Sequence, residues 1–379
     1  MTGVNKKYRI FISASEPSGD SHCAGLITAL QESDYDIEFV GVGGPRMAET
    51  GCELLEITIG RASMAFNSLA HIWHYYKLIK RITAYLRDNK VDLVIVCDSP
   101  AFNFHVAKAA TKAGIKTLFY VAPQLWAWGA WRIRKLRRRC SKLCCILPFE
   151  QDWFGERGVD VTFVGNPILE KLGSYMTANK KQYADFDPEN ARFALMPGSR
   201  SAEIKLLWEP MQQIALRLKE KYPGATFTTV AVDAEREAIL KAAQIRDFHC
   251  EYSVCSVIET ARQVDFSIVT SGSATLQIAA VGCPMVIMYQ YNRILSDFVK
   301  PFIIKTKYLS LVNILAGKEL APEFMPYFLS IDPIVESIEQ LLQERDKLIR
   351  LSGELVELAR PLALPASATV AQIVGEMLD

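Results

Sequence analysis

Short apolar runs rich in β-branched and aromatic residues recur along this chain, each separated from the next by a stretch with helical periodicity. The runs are Tyr8–Ser13, Glu38–Val42, Leu93–Cys97, Thr117–Val121, Leu143–Leu147, Thr162–Val164, Phe193–Met196, Thr226–Val232, Phe266–Val269 and Met285–Tyr289. Strands that alternate with helices form βαβ units, whose strands lie parallel under a cover of helices. At 379 residues the chain exceeds what one ordinary core spans. The pattern therefore predicts an α/β protein of two doubly wound, Rossmann-like domains facing a cleft. The polar, Pro-containing stretch 176–190 breaks the alternation and suits a linker. The expected divisions are a domain over 1–175, a second over 191–340, and a C-terminal helical segment over 341–379 that Pro361 and Pro365 punctuate.

Two strand-to-helix turns in the second half carry chemistry. Pro197-Gly198-Ser199-Arg200, with Glu203 behind it, follows Phe193–Met196, and Ser271-Gly272-Ser273-Ala274-Thr275 follows Phe266–Val269. Such turns aim free backbone N–H groups and a positive dipole end at one point, which suits a phosphate. Small residues let the backbone approach a ligand, and Arg200 can add a bidentate pair to phosphate oxygens. Two such turns in one α/β unit suggest a nucleotide diphosphate between them.

In the first half, Glu16-Pro17-Ser18-Gly19-Asp20 opens the first helix at a strand's carboxyl end, where open α/β sheets bind ligands. Ser18 or Asp20 could equally cap that helix. Asp98, in Cys97-Asp98-Ser99-Pro100, ends an apolar strand. It is either a turn-initiating Asp or a carboxylate able to take a proton from a substrate hydroxyl. Asn103 and His105 read as helix-surface groups or supports for it. Gly41-Val42-Gly43-Gly44-Pro45-Arg46 lacks the third glycine of a dinucleotide loop and reads as a tight turn before a helix.

Two segments suggest a lipid surface. Gln124 to Arg139 holds Trp126, Trp128 and Trp131 among Arg132, Arg134, Lys135 and Arg137 to Arg139. It is a solvated basic face, or a site for an acidic lipid headgroup. Ser63 to Tyr76, with Met64 and Phe66, is apolar and aromatic, then meets Lys77, Lys80 and Arg81; it reads as a buried helix or an apolar flap against acyl chains. A near-balanced 43 Lys plus Arg against 42 Asp plus Glu argues against nucleic acid. The scattered cysteines suit a reducing, cytoplasmic setting, and no stretch approaches the ~20 apolar residues of a membrane span. The histidines do not cluster and the bare Asp34-x-Asp36 and Asp185-x-Asp187 lie in connecting segments, so neither metal nor cofactor is expected.

Taken together, these segments resemble the lipid-A-disaccharide synthases, inverting glycosyltransferases of the GT-B type. The matching pieces run collinearly from about Ile10 to Glu323: Glu16-x-Ser18-Gly19-Asp20, Gly41 to Met47, Asp98 to Asn103, Tyr120 to Pro123, Trp126-Ala127-Trp128, Leu147 to Glu150 and Phe163 to Pro167. Pro197 to Glu203, Ser271 to Leu276, Cys283 to Val286 and Tyr308 to Leu320 complete the set. The resemblance implies transfer of 2,3-diacylglucosamine from its UDP derivative to the 6-hydroxyl of 2,3-diacylglucosamine 1-phosphate (lipid X), releasing UDP. It gives the first domain the acceptor and membrane side and the second the UDP-sugar. It implies Asp98 as the base, and UDP held by Gly198, Ser199, Arg200, Glu203, Ser271, Gly272, Ser273, Ala274 and Gln277, with Asn313 and Glu319 on a bordering loop. The acceptor and lipid would lie toward Glu16, Ser18, Asp20, Asn103, Met64, Phe66, Trp126, Trp128 and Arg132. Peripheral contact with the inner face of the inner membrane and a homodimer through the C-terminal region are also implied.

The chain departs from the family's usual pattern at Gln277, where Glu is usual, at Asn166 for His, at Ala101 for Asp and at Gly129 for Arg. The departures keep in view a weakly active homologue that binds lipid or nucleotide as a partner protein; a related transferase using UDP-GlcNAc on another lipid acceptor is a further alternative.

Overall fold

The computed structural model describes residues 6–59, 68–173, 176, 183, 185–290 and 306–379. The chain divides into two compact units, Met1–Glu170 with Leu364–Asp379, and Lys171–Ala363.

The first unit holds β1 (Lys7–Ala14), β2 (Asp36–Gly43), β3 (Glu53–Ile57), β4 (Leu93–Cys97), β5 (Lys116–Tyr120), β6 (Lys142–Cys145) and β7 (Val161–Phe163). They form one sheet in the order β3-β2-β1-β4-β5-β6-β7, every neighbouring pair parallel. Its central strands are buried on both faces, as the continuous apolar run Leu93–Cys97 requires. Ile10, Ile12, Leu93, Ile95 and Leu118 pack against Leu26, Ile27 and Leu30 of the helix Pro17–Gln31.

The second unit holds β8 (Arg192–Met196), β9 (Thr226–Ala231), β10 (Glu251–Val254), β11 (Phe266–Thr270), β12 (Met285–Met288) and β13 (Glu323–Phe324). Their order is β10-β9-β8-β11-β12-β13, again parallel throughout. Both sheets are doubly wound, as the alternation predicts. The strands it does not predict, β3, β10 and β13, all lie at sheet edges. An edge strand is half covered, so Glu53, Glu56, Glu251 and Ser253 interrupt the apolar pattern there.

The segment over 341–379, expected as a C-terminal helical segment punctuated by Pro361 and Pro365, is shared between the units. Arg345–Ala359 belongs to the second, whereas Ala366–Leu378 returns to the first. The reason is its apolar stripe: Ala366, Val370, Ile373 and Val374 sit on one face and join the core beneath β1. Glu170 secures its start, accepting from the Ser367 hydroxyl at 2.9 Å. Among the described residues no helix is long and apolar enough to cross a membrane.

Each sheet reverses its winding once, between β1 and β4 in the first unit and between β8 and β11 in the second. The carboxyl ends of strands at such a reversal splay their following loops apart, which leaves a crevice for a ligand.

Candidate active site

Glu16 follows β1 and Asp98 follows β4, so both stand at the reversal of the first sheet. The backbone there is strained. Asp98 and Ser99 have φ of 49° and 42°, and Val121, after the adjacent β5, has φ of 63°. Left-handed backbone outside glycine costs on the order of 1–3 kcal/mol per residue and persists only where surroundings enforce it. A β-branched residue such as Val121 is the most disfavoured there.

Asn103 supplies the enforcement. Fully buried on the helix Pro100–Lys112, its amide donates to the carbonyls of Cys97 at 2.7 Å and Asp98 at 2.8 Å, while its oxygen accepts from the Ser13 hydroxyl at 2.7 Å. The Asp98 N–H donates to the Tyr120 carbonyl at 3.1 Å, and the Ser99 hydroxyl donates to Glu16 at 2.9 Å. With both its amide nitrogen and its amide oxygen engaged, Asn103 holds the Asp98 turn. Asp98 itself is half-buried, and Glu16 and Ser18 are exposed.

Asp20 is also turned inward. Its carboxylate accepts from the N–H groups of Gly44 at 2.9 Å, Met47 at 3.0 Å and Arg46 at 3.1 Å. It therefore caps the short helix Pro45–Glu49 across the fold, where the sequence placed it on the acceptor side. A Cβ on Gly44 would lie 2.5 Å from that carboxylate, which explains the glycine.

Of the three tryptophans, the structure separates one from the others. Trp126 is buried, and its indole N–H donates to Glu150 at 2.9 Å. Trp128 and Trp131 are exposed and bracket the Arg132 guanidinium, at 4.8 and 5.1 Å from the ring centres. Glu150 was missed as a functional candidate. It is buried, accepts also from the Leu147 N–H at 3.1 Å, and is pushed up to about 7 chiefly by burial, with Asp98 adding like charge. Its sequence signal was the Pro148 and Glu150 pair at a helix start, which reads as a capping box alone. Buried His22 is shifted the other way, lowered by desolvation to about 4, and stays neutral.

Met64 and Phe66 lie outside the described residues, as does most of the apolar segment before the helix Ser68–Asp88. Within that helix Leu78, Ile82 and Leu86 face the core while Trp73 and Tyr76 are exposed. Lys77 and Lys80 lie over those two rings, at 4.0 and 4.7 Å.

In the second unit β8 and β11 are paired neighbours, with Met196 opposite Val269. The turns 197–200 and 271–274 therefore leave the sheet side by side, at its reversal. Gly198 has φ of 109°, which only glycine adopts freely. Glu203 accepts from the N–H groups of Ser199 at 3.1 Å and Arg200 at 3.2 Å and from the Arg200 guanidinium at 3.0 Å. Expected as a UDP ligand, this carboxylate instead engages the turn's donors and orients Arg200, whose side chain is otherwise exposed. Gly272 and Ser273 are exposed, and Ala274 and Gln277 half-buried.

Asn313 is buried with its amide fully used: it donates to Ala321 O at 2.7 Å and Glu323 at 3.0 Å and accepts from the N–H groups of Leu320 and Ala321 at 2.8 and 2.9 Å. It shapes the loop that presents exposed Glu319. Glu323, unnoticed in the sequence, joins this loop to Leu309 and Ser310 by accepting at 2.9 and 3.0 Å from their N–H groups.

A model of the lipid-A-disaccharide synthetase family matches residues 10–356. The chain belongs to that family. It is 32% identical over 350 residues to the lipid-A-disaccharide synthase of Trichlorobacter lovleyi, covering 90% of each chain. With that of Geobacter sulfurreducens it shares 32% over 385 residues, covering 99% of this chain and 98% of the relative. Among solved structures it is similar to a UDP-GlcNAc 2-epimerase of Neisseria meningitidis bound to UDP-GlcNAc, with TM-score 0.65, 14% identity and coverage of 98% and 100%. It is similar also to the calicheamicin glycosyltransferase CalG4, with TM-score 0.58, 13% identity and 98% coverage of both chains. The fold is thus of the GT-B type, and this member of the lipid-A-disaccharide synthase family is a glycosyltransferase of lipid A disaccharide synthesis. Its substrates are a UDP-sugar and a lipid acceptor.

Proposed function

We propose that the enzyme transfers 2,3-diacylglucosamine from UDP-2,3-diacylglucosamine to the 6-hydroxyl of 2,3-diacylglucosamine 1-phosphate, with inversion at the anomeric carbon. The observation that carries this reading is the Asp98 turn. The backbone that carries a carboxylate at the sheet reversal is fixed by a strained turn and a buried asparagine clamp. A group held so firmly suits a base that meets an incoming hydroxyl at one geometry.

In this reading Asp98 takes the hydroxyl proton as the acceptor oxygen bonds to the anomeric carbon and the bond to UDP breaks. The leaving diphosphate gathers charge at the turns after β8 and β11. There the Arg200 guanidinium, the Ser199 and Ser273 hydroxyls and the backbone of Gly198, Ser271, Gly272 and Ala274 would stabilise it, and Gln277 would hold the ribose through neutral hydrogen bonds. The Ser199 and Arg200 N–H groups are already engaged by Glu203. Glu203 and Asn313 position these elements, with Glu319 bordering them. One displacement inverts the sugar, so neither metal nor cofactor is invoked. Exposed Trp73, Tyr76 and Trp128 with their adjacent cations suit peripheral contact with the inner face of the inner membrane; a homodimer through the C-terminal region belongs to the same reading.

Purified enzyme given both lipids should release UDP and yield a product whose mass equals one disaccharide 1-phosphate. Turnover with UDP-GlcNAc but not with the diacylated donor would replace this reading with the related-transferase one. UDP binding without any turnover would leave a partner protein.

A further inference from the structure

Beside the Asp98 turn the first unit has a cavity of about 370 Å³ between the helices Pro100–Lys112 and Ile133–Arg139. Four cationic side chains line it, Lys108, Arg132, Lys135 and Arg139, and no carboxylate does. Among the described residues Lys108, Arg132 and Lys135 form no ion pair, while Arg139 spends one N–H on the Phe104 carbonyl at 3.0 Å. Phe104 and Trp131 supply apolar walls, and Arg132 is held in place between the Trp128 and Trp131 rings. His105, also at the wall, has its pKa lowered by burial and, beyond that, by the same Arg139, Lys108 and Lys135. In a chain of formal net charge +1, such a pocket is a local device.

Its position is informative. Pro100 and Ala101, in the first turn of the helix that Asp98 and Ser99 open, form one end of the cavity. Lys108 stands two turns further along, ~10 Å at 1.5 Å per residue. A sugar whose hydroxyl meets Asp98 can therefore extend a substituent from its other end into the cations. The short span of the cations, within one part-enclosed cavity, fits one small, doubly charged group better than a long polyanion.

We propose that this pocket binds a phosphate monoester, the anomeric phosphate of the acceptor, and so selects phosphorylated over unphosphorylated acceptor. The identity of that phosphate rests on the reaction proposed above; the phosphate chemistry rests on the pocket alone. Clustered cations in a part-enclosed cavity gain far more from a dianion than the same charges dispersed in water.

The test is the double variant Lys108→Glu/Lys135→Glu, both positions exposed enough to tolerate the change. In detergent micelles the variant should raise the KM for the 1-phosphorylated acceptor at least tenfold while the kcat/KM for the same lipid lacking phosphate stays at the wild-type value. Glucosamine 1-phosphate, titrated by 31P NMR without any turnover, should bind wild type and Lys108→Arg/Lys135→Arg but not the charge-reversed protein. Equal losses for both acceptors, unchanged affinity for glucosamine 1-phosphate, or a loss confined to phosphatidylglycerol vesicles would each overturn the proposal, the last by assigning the pocket to membrane phosphates. Wild type that binds glucosamine 1-phosphate through these lysines yet makes no disaccharide would refute the reaction and uphold the pocket.

Discussion

Asn103→Ala tests whether the Asp98 turn is held by one buried side chain. The substitution removes three hydrogen bonds, at 2.7, 2.8 and 2.7 Å, and leaves the Ser13 hydroxyl and two carbonyls without their partner in a fully buried site. At about 1 kcal/mol each, the loss is about 3 kcal/mol of stability, before any cavity. The strain at Asp98 and Ser99 adds a second consequence. Without the clamp the turn relaxes out of the left-handed region, and the carboxylate moves with it. A displacement of about 1 Å costs roughly 10²-fold in rate. Urea unfolding followed by tryptophan fluorescence measures the first effect, and hydrogen exchange over 98–103 localises it. Steady-state kinetics measure the second, with UDP affinity as the control because its turns belong to the other unit. Asn103→Asp, which keeps size but loses both donors, should fare no better. A variant within 1 kcal/mol of wild type, with unchanged exchange at the turn and unchanged kcat, would refute the reasoning.

Two further predictions concern the remaining supports. Glu150 is held up at about 7 in the folded state against an ordinary 4.5, so the folded protein binds the proton more tightly than the unfolded chain. Its contribution is complete below pH 4.5 and is lost as pH rises toward 7, by about 3 kcal/mol. His22, lowered to about 4, contributes with the opposite slope between 4 and 6.5. Wild-type stability should thus be nearly flat across their shared interval, and thermal unfolding of Glu150→Gln should expose the rise due to His22; parallel profiles for the two proteins would contradict this. In the second unit, Gly198→Ala places a Cβ 2.5 Å from the Glu203 carboxylate at a φ of 109°. A penalty of about 2 kcal/mol should weaken UDP binding roughly 30-fold by calorimetry, and wild-type affinity would show that the turn is not part of the donor site.

The central strands and both ligand-suited turns were legible because buried parallel strands announce themselves as unbroken apolar runs, and because glycine and serine directly after such a run, before a helical period, mark a strand-to-helix turn. The edge strands β3, β10 and β13 were not, since half-covered backbone tolerates glutamate and serine. Side-chain roles were the harder matter. Asp20, Asn103, Glu203 and Asn313 all look like ligand-facing polar residues in the chain, yet each bonds backbone groups within the fold, some of them distant in sequence: Asp20 residues 44 to 47 and Asn313 residues 320 and 321. Residue type and strand position draw attention to these networks; which member points outward depends on packing that no local pattern encodes. The return of Ala366–Leu378 to the first unit was hidden for the same reason, because an apolar stripe does not name the sheet it will cover.

The most direct test of Asp98 as the proton acceptor is kcat for Asp98→Asn with both lipid substrates saturating. Loss of a general base predicts a fall of about 10²–10⁴ with UDP affinity unaltered. Turnover equal to wild type would remove Asp98 from the chemistry and leave its strained turn without the role assigned to it.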